Sequence, residues 1–184
     1  KLACQDHFGF EKVVALNVGA QCNPRVESRS WRQGEAWHYE TVYHTRAGEL
    51  SCRMVHPPDD AAWIVAPPAS SVEDASALLD AVDVPESPAD VDALAANREK
   101  LGDDVCLCAS VRDPLDLYLT WRGAEHGIMD LVDHPEQVAR VLGAMLDVSL
   151  RHVRAAGRAR LDGVIIGSNG LSLLSPQLMR SSLF

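Results

Sequence analysis

No apolar run approaches the roughly 18 residues that a membrane-crossing helix needs, so no segment of the chain is expected to span a bilayer. Nor does a basic, apolar and small-residue succession of a secretory leader open the sequence, which starts at Lys1 and reads as entering a polypeptide already under way. Neither C-x-x-C nor H-x-C occurs, which removes the commonest short zinc and dithiol signatures. The five cysteines (Cys4, Cys22, Cys52, Cys106 and Cys108) are odd in number and irregularly spaced, unlike a compact disulfide framework. They read as reduced thiols packed like small apolar residues, which suits a cytoplasmic protein.

Lysine and arginine are missing between Arg53 and Arg98, a stretch that carries Asp59, Asp60, Glu73, Asp74, Asp80, Asp83, Glu86, Asp90 and Asp92. The net charge over 184 residues is −9, which argues against nucleic-acid and anionic-membrane partners. Arginines do gather around His152, at Arg151, Arg154, Arg158 and Arg160, and both clusters read as solvated helix faces. With 47% hydrophobic residues, 12 Gly and 10 Pro, the chain is neither collagen-like, coiled-coil nor disordered, and its length fits a single domain, 1–184.

Lys12 to Val18 is a short β-branched run that reads as a strand, and Gly19 to Gly34 shows no period and reads as a loop. Trp37 to Thr45 alternates Trp37, Tyr39, Thr41 and Tyr43 against His38, Glu40, Val42 and His44. With a turn at Gly48 and a return through Leu50 to Val55, this gives a hairpin over 36–56. Ser70-Ser71 with Glu73 and Asp74 caps a helix carrying Ala75, Leu78, Leu79 and Val82. Ser87-Pro88 opens a second helix, which closes at Leu101-Gly102. The uncharged run Val105 to Val111 between helices favours a parallel sheet. Asp113-Pro114 opens a helical stretch to Trp121, and His134-Pro135 opens the longest helix, ending at Gly157. Asp162 to Ile166 is the next strand, and Ser175-Pro176 begins a last helix.

Repeated strand-then-helix units point to a parallel α/β fold. A (β/α)8 barrel takes about 250 residues, so the expectation is a partial (β/α)8 TIM barrel with a hairpin insertion, its N- and C-terminal parts missing. Three strands of an open barrel would leave unpaired edges, so self-association is expected.

The succession of motifs resembles the uroporphyrinogen decarboxylase superfamily, which includes the corrinoid-linked methyltransferases. It runs Tyr43-His-Thr-Arg-Ala-Gly-Glu-Leu50, Trp63-Ile-Val65, Ser71-Val-Glu-Asp74, Arg112-Asp-Pro114, Gly123-Ala-Glu125, Leu131-Val-Asp-His-Pro-Glu136, Leu161-Asp-Gly-Val164, Gly167-Ser168 and Leu174-Ser-Pro176. The resemblance implies a barrel enzyme in which a zinc-activated thiolate takes a methyl group from a methylcobamide, with a corrinoid protein as partner. In that branch the zinc ligands, a His-x-Cys pair and a later Cys, fall in the C-terminal part of the barrel, beyond Phe184. Porphyrin decarboxylation in haem biosynthesis, or a non-catalytic degenerate segment, is the alternative. The arginine-rich N-terminal motif of the decarboxylases is not visible. Gly167-Ser168-Asn169 stands where they carry Asp-Ser-Trp, and the hairpin looks more like the methyltransferase branch.

Active groups of such a fold sit at the C-terminal ends of parallel strands. Those ends offer Asn17 and Gln21, then Ser110, Arg112 and Asp113, and last Ser168 and Asn169. Ser168 matches a family position that hydrogen-bonds substrate. It has no adjacent base to make it a nucleophile, and a loop serine bonding its own backbone is the other reading. Arg112 could grip a small anionic substrate with its two-pronged guanidinium, while Asp113 either pairs with it or caps the next helix. Asn169 sits in an Asn-Gly turn pair, and Tyr118 lies about one residue off a tyrosine of the decarboxylases or is a helix aromatic. His38 and His44 share a strand face without a third ligand in the sequence nearby. No metal is expected to bind this chain by itself.

Overall fold

The computed structural model describes residues 12–17, 23–82, 88–168 and 170–182. Two sheets organise them. The first is a three-stranded parallel sheet in the order β1 (Val13–Asn17), β6 (Cys106–Arg112), β7 (Gly163–Gly167). The second is a four-stranded antiparallel meander of β2 (Val26–Gln33), β3 (Ala36–Thr45), β4 (Gly48–His56) and β5 (Trp63–Ala66). The helices are α1 (Val72–Val82), α2 (Pro88–Leu101), α3 (Pro114–Arg122), α4 (Ala124–Asp133), α5 (Pro135–Arg158) and α6 (Pro176–Ser182), with a 3-10 turn at Gly170–Leu173.

This corrects the expected fold. The described residues form a mixed α/β architecture in which the larger sheet is antiparallel, not an eight-stranded parallel barrel or a part of one with a hairpin inserted. The expected hairpin is the middle of the meander. Val26–Gln33, read as loop, pairs with β3 along its whole length, from Val26 opposite Tyr43 to Gln33 opposite Ala36. Its sequence conceals this because nearly every residue of the strand is exposed, so no apolar alternation marks it. Strand state here comes from the partner's hydrogen bonds, closed by a two-residue turn with Gly34 at φ 62°, a region open to glycine at little cost. On the far side Trp63–Ala66 adds a short strand to β4, with an irregularity between Arg53 and Met54.

The chain divides into two compact units. One comprises residues 1–21, 85–113 and 146–167. The other comprises 22–84, 114–145 and 168–184. The first holds the parallel sheet. Leu107, Ala109 and Val111 of β6 are buried, and Ala109 and Val111 pack with Ala156, Val153 and Leu161 in a small core. Asp162 closes this unit from outside. Its carboxylate accepts from the Leu107 backbone N–H at 2.8 Å and from the Arg98 guanidinium, while its own N–H donates to the Leu107 carbonyl at 2.8 Å. Arg98 also donates to the carbonyls of Gly102 and Val105, tying α2 to the entry of β6.

The second unit has the larger core: Val72, Ala75 and Leu78 from α1, Leu115, Tyr118, Leu119 and Trp121 from α3, Leu131 from α4, and Val138, Val141 and Met145 from α5. Tyr43 and Leu50 of the meander pack against it. The start of α1 follows its sequence signal. Ser71 Oγ accepts from the Asp74 N–H at 3.1 Å, and Asp74 Oδ2 accepts from the Ser70 N–H at 2.9 Å and the Ser70 hydroxyl at 2.6 Å. Helix α4 carried no such signal, since Gly123 precedes it at φ 78° without a side-chain cap. Gly127 lets α4 lie close on α3, because a Cβ there would meet Leu119 Cδ2 at 2.6 Å.

Candidate functional site

Parallel pairing aligns the strand ends of the first unit. Asn17 lies opposite Ser110, and Arg112 opposite Gly167, so the C-terminal edges of β1, β6 and β7 finish together. Alternation along β6 puts Cys106, Cys108, Ser110 and Arg112 on one face, and Leu107, Ala109 and Val111 on the core face. Arg112 is exposed at the strand end. Its backbone carbonyl accepts from the Ser149 hydroxyl at 2.9 Å, which fixes the end of β6 against α5. Asp113 follows half-buried, directly before Pro114 at the start of α3.

Ser168 is the residue after β7 and is counted in the second unit, whereas Arg112 and Asp113 are counted in the first. Its hydroxyl oxygen is buried and has no hydrogen-bond partner among the described residues. Neither Asn169 nor Gln21 is among the described residues.

Tyr118 is not available to a ligand. It is fully buried, and its hydroxyl donates to Asp130 Oδ2 at 2.7 Å. Arg122 Nε donates to the same oxygen at 2.6 Å and Nη2 to Oδ1 at 3.1 Å, with Nη1 reaching the Ala69 carbonyl at 3.2 Å. Burial alone would raise the Asp130 pKa, but the Arg122 and Tyr118 hydrogen bonds outweigh it and hold the carboxyl below the usual range. Burial and the adjacent carboxylate push the Tyr118 phenol up. This network fastens α3 to α4, and the sequence reading missed it. The spacing of Tyr118, Arg122 and Asp130 gave a usable hint, because Tyr118 and Arg122 are four residues apart on one helix face.

His38 and His44 face different partners. His38 stacks on Trp31 across the strands, with centroids 5.5 Å apart and planes at 15°. His44 lies between Glu27 and Glu49, at 3.3 Å from each.

The zinc that the family resemblance implies does not fit the residues described. Among them no three His, Cys, Asp or Glu side chains converge as a ligand set. Cys106 and Cys108 stand alone with their sulfurs 3.7 Å apart, and desolvation, with the neighbouring Cys106 and Asp162, raises the Cys108 thiol rather than making it a thiolate. The expectation that all the cysteines are packed also changes, since Cys106 is exposed while Cys108 is buried.

A hollow of about 340 Å³, lined by Lys12, Asp103, Asp104, Val105, Cys106 and Asp162, opens at the entry end of the parallel sheet, opposite the aligned strand ends. Among the described residues no helix is long and apolar enough to cross a membrane. Compared with protein-family models, curated proteins and solved structures, the chain matches none.

Proposed function

We propose that this chain supplies part of the substrate-binding surface of a small-molecule enzyme, acting on an anionic substrate at the C-terminal ends of β1, β6 and β7. The chemistry suggested by the ordered motifs is methyl transfer to a thiol, as in the corrinoid-dependent branch of the uroporphyrinogen decarboxylase superfamily. The observation that carries this reading is the common finish of three parallel strands, with Asn17 opposite Ser110 and Arg112 opposite Gly167. Carboxyl ends of parallel strands are where open α/β sheets bind ligands, since the loops leaving them can carry polar groups without disturbing the core.

In this reading Arg112 clamps the anionic group through its forked donors, and Asp113 orients that loop at the start of α3. The Ser168 hydroxyl is buried and counted in the other unit, so it is given no contact with the substrate. Because the described residues do not form a zinc site, no step of the transfer is assigned to them. Their part is binding and orientation in a cytoplasmic setting. Decarboxylation of a porphyrin is the second chemistry, weakened by Gly167-Ser168-Asn169 at the position where the decarboxylases carry an acid.

Calorimetric titration of the chain with a small anionic thiol and with a carboxylated tetrapyrrole tests the reading. Ser168→Ala should leave binding unchanged, because its hydroxyl is buried and lies in the other unit. Arg112→Ala should cost about 1.5–3 kcal/mol because its bond is charge-assisted. Binding of the tetrapyrrole alone would favour the decarboxylase branch. Binding indifferent to Arg112→Ala would reject the site.

A further inference from the structure

The face of β6 that carries Arg112 also carries two thiols that the proposed function does not use. Cys106 and Cys108 are two residues apart on one strand and their sulfurs are 3.7 Å apart. They differ in access, Cys106 being exposed beside the hollow at the sheet's entry and Cys108 buried. Opposite Cys108 the next strand carries Gly163, where a Cβ would touch the Cys108 sulfur at 3.4 Å, so the thiol is bordered by a residue that leaves it room to turn.

We infer that Cys106 and Cys108 form a thiol–disulfide exchange site that reacts with small disulfides of the glutathione class, Cys106 as the attacking thiol and Cys108 as the resolving one. The Cys106 thiolate attacks one sulfur of the small disulfide, a protein–S–S–R bond forms, and one R–S⁻ leaves and is protonated by water. Cys108 then gives its proton to solvent and attacks the Cys106 sulfur, the mixed disulfide breaks, and the second R–S⁻ leaves. Two protein thiols are thereby oxidised to one disulfide, and one small disulfide is reduced to two thiols.

Access dictates the order, because the buried sulfur cannot meet an external disulfide first. Desolvation raises the Cys108 thiol, which also makes it the less reactive of the two toward an external disulfide. Closure requires the strand to shorten locally. Two residues of extended strand span roughly 6.7 Å, at the upper edge of the about 4.4–6.8 Å between disulfide-linked Cα atoms. A bond formed at that limit is readily reversed by excess thiol.

The experiment treats the native chain with oxidised glutathione, blocks remaining thiols by alkylation and maps the peptides by mass spectrometry. A Cys52→Ser background removes the half-buried thiol of the other unit. The expected product is a Cys106–Cys108 disulfide that excess reduced glutathione reopens. Cys108→Ala should instead accumulate a stable glutathione adduct on Cys106, and Cys106→Ala should leave Cys108 at least ten-fold less reactive. Because Cys106 is exposed, the latter variant keeps the test valid even if the substitution at Cys108 disturbs folding. Separate glutathione adducts on both cysteines, pairing of Cys106 with Cys4 or Cys22, or an unreactive Cys106 in the native chain would each overturn the inference.

Discussion

The two compact units solve the same problem with different means. The unit built on the meander with α1, α3, α4, α6 and the first part of α5 encloses a broad apolar core and can afford a buried ion pair, since Arg122 and Asp130 satisfy each other and Tyr118. The unit built on the parallel sheet has a small core of Ala109, Val111 and Ala156, and its charged clamp, Asp162 with Arg98, lies partly exposed. Strand β7 shows the contrast most clearly, with Val164, Ile165 and Ile166 exposed on both faces. Stability in one unit therefore resides in packing and a desolvated network. In the other it resides in strand pairing and solvated hydrogen bonds. The chromophores fall on one side of this division, because all four tryptophans and all three tyrosines belong to the meander unit. Tryptophan fluorescence thus reports that unit, while far-ultraviolet circular dichroism reports both.

The largest effect should come from Asp130→Ala, which leaves Arg122 buried and unpaired. Breaking such a pair costs about 3–5 kcal/mol, and the fluorescence-detected urea transition should shift accordingly. Replacing both partners with apolar residues of similar volume, together with Tyr118→Phe to remove the hydroxyl that Asp130 accepts from, should restore most of that loss; equal losses in the single and combined variants would show that the pair is not what holds α3 to α4. The same carboxylate sets an acid limit. Its folded pKa lies below the unfolded value of about 3.9, so its contribution is complete above that value and fades as the pH falls through the folded one. Asp162 obeys the same sign for another reason, the Leu107 N–H and then Arg98 drawing its pKa down. Acid titration should therefore find both transitions below about pH 4. A loss of fluorescence structure well above pH 4 would show that neither carboxylate sets the acid limit.

Next comes Leu78→Ala, a fully buried truncation in the core of the meander unit. It should cost about 2–5 kcal/mol, depending on how far the cavity collapses. Ser71→Ala, which removes the cap of α1, should cost about 1 kcal/mol in the same transition. If both changes move the fluorescence and dichroism curves by the same amount, the two units unfold as one. Separated curves would show that each unfolds alone.

What the sequence disclosed follows from where each element obtains its stability. The strands at Val13–Asn17, Cys106–Arg112 and Gly163–Gly167 were legible because they are short apolar runs, and α1 and α5 because burial imposes a helical period on Val72 to Val82 and Pro135 to Arg158. β2 was not, since polar, exposed residues become strand only when a partner supplies the hydrogen bonds. Missing β2 also let a meander pass for a hairpin inserted into a barrel. Arg112 does end a strand, as expected, because local sequence reveals that position. The burial of Tyr118 depends on a carboxylate twelve residues away, and the clamp on β6 joins Arg98 to Asp162, sixty-four residues apart. Pairings of that range leave no periodic trace.

The smallest effect on stability, and the one that separates the units most cleanly, is expected at Ile166. It is 61% exposed on β7, whose outer edge has no strand beside it among the described residues. A surface substitution such as Ile166→Thr keeps the β-branched shape and should change stability by no more than about 0.5 kcal/mol. Its effect on association should be larger, because an exposed apolar edge with unpaired backbone groups is a template for a second chain. We expect the unmodified chain to self-associate with concentration in sedimentation velocity, and Ile166→Thr to shift that equilibrium toward monomer while leaving tryptophan fluorescence unchanged. Leu146→Thr, an exposed apolar residue on α5, serves as the control and should leave the equilibrium where it was. If the unmodified chain stays monomeric across the range, or if the control weakens association as strongly as the β7 variant, the sheet edge is not the adhesive surface. The exposed side chains of β7 would then have to be ordinary surface residues.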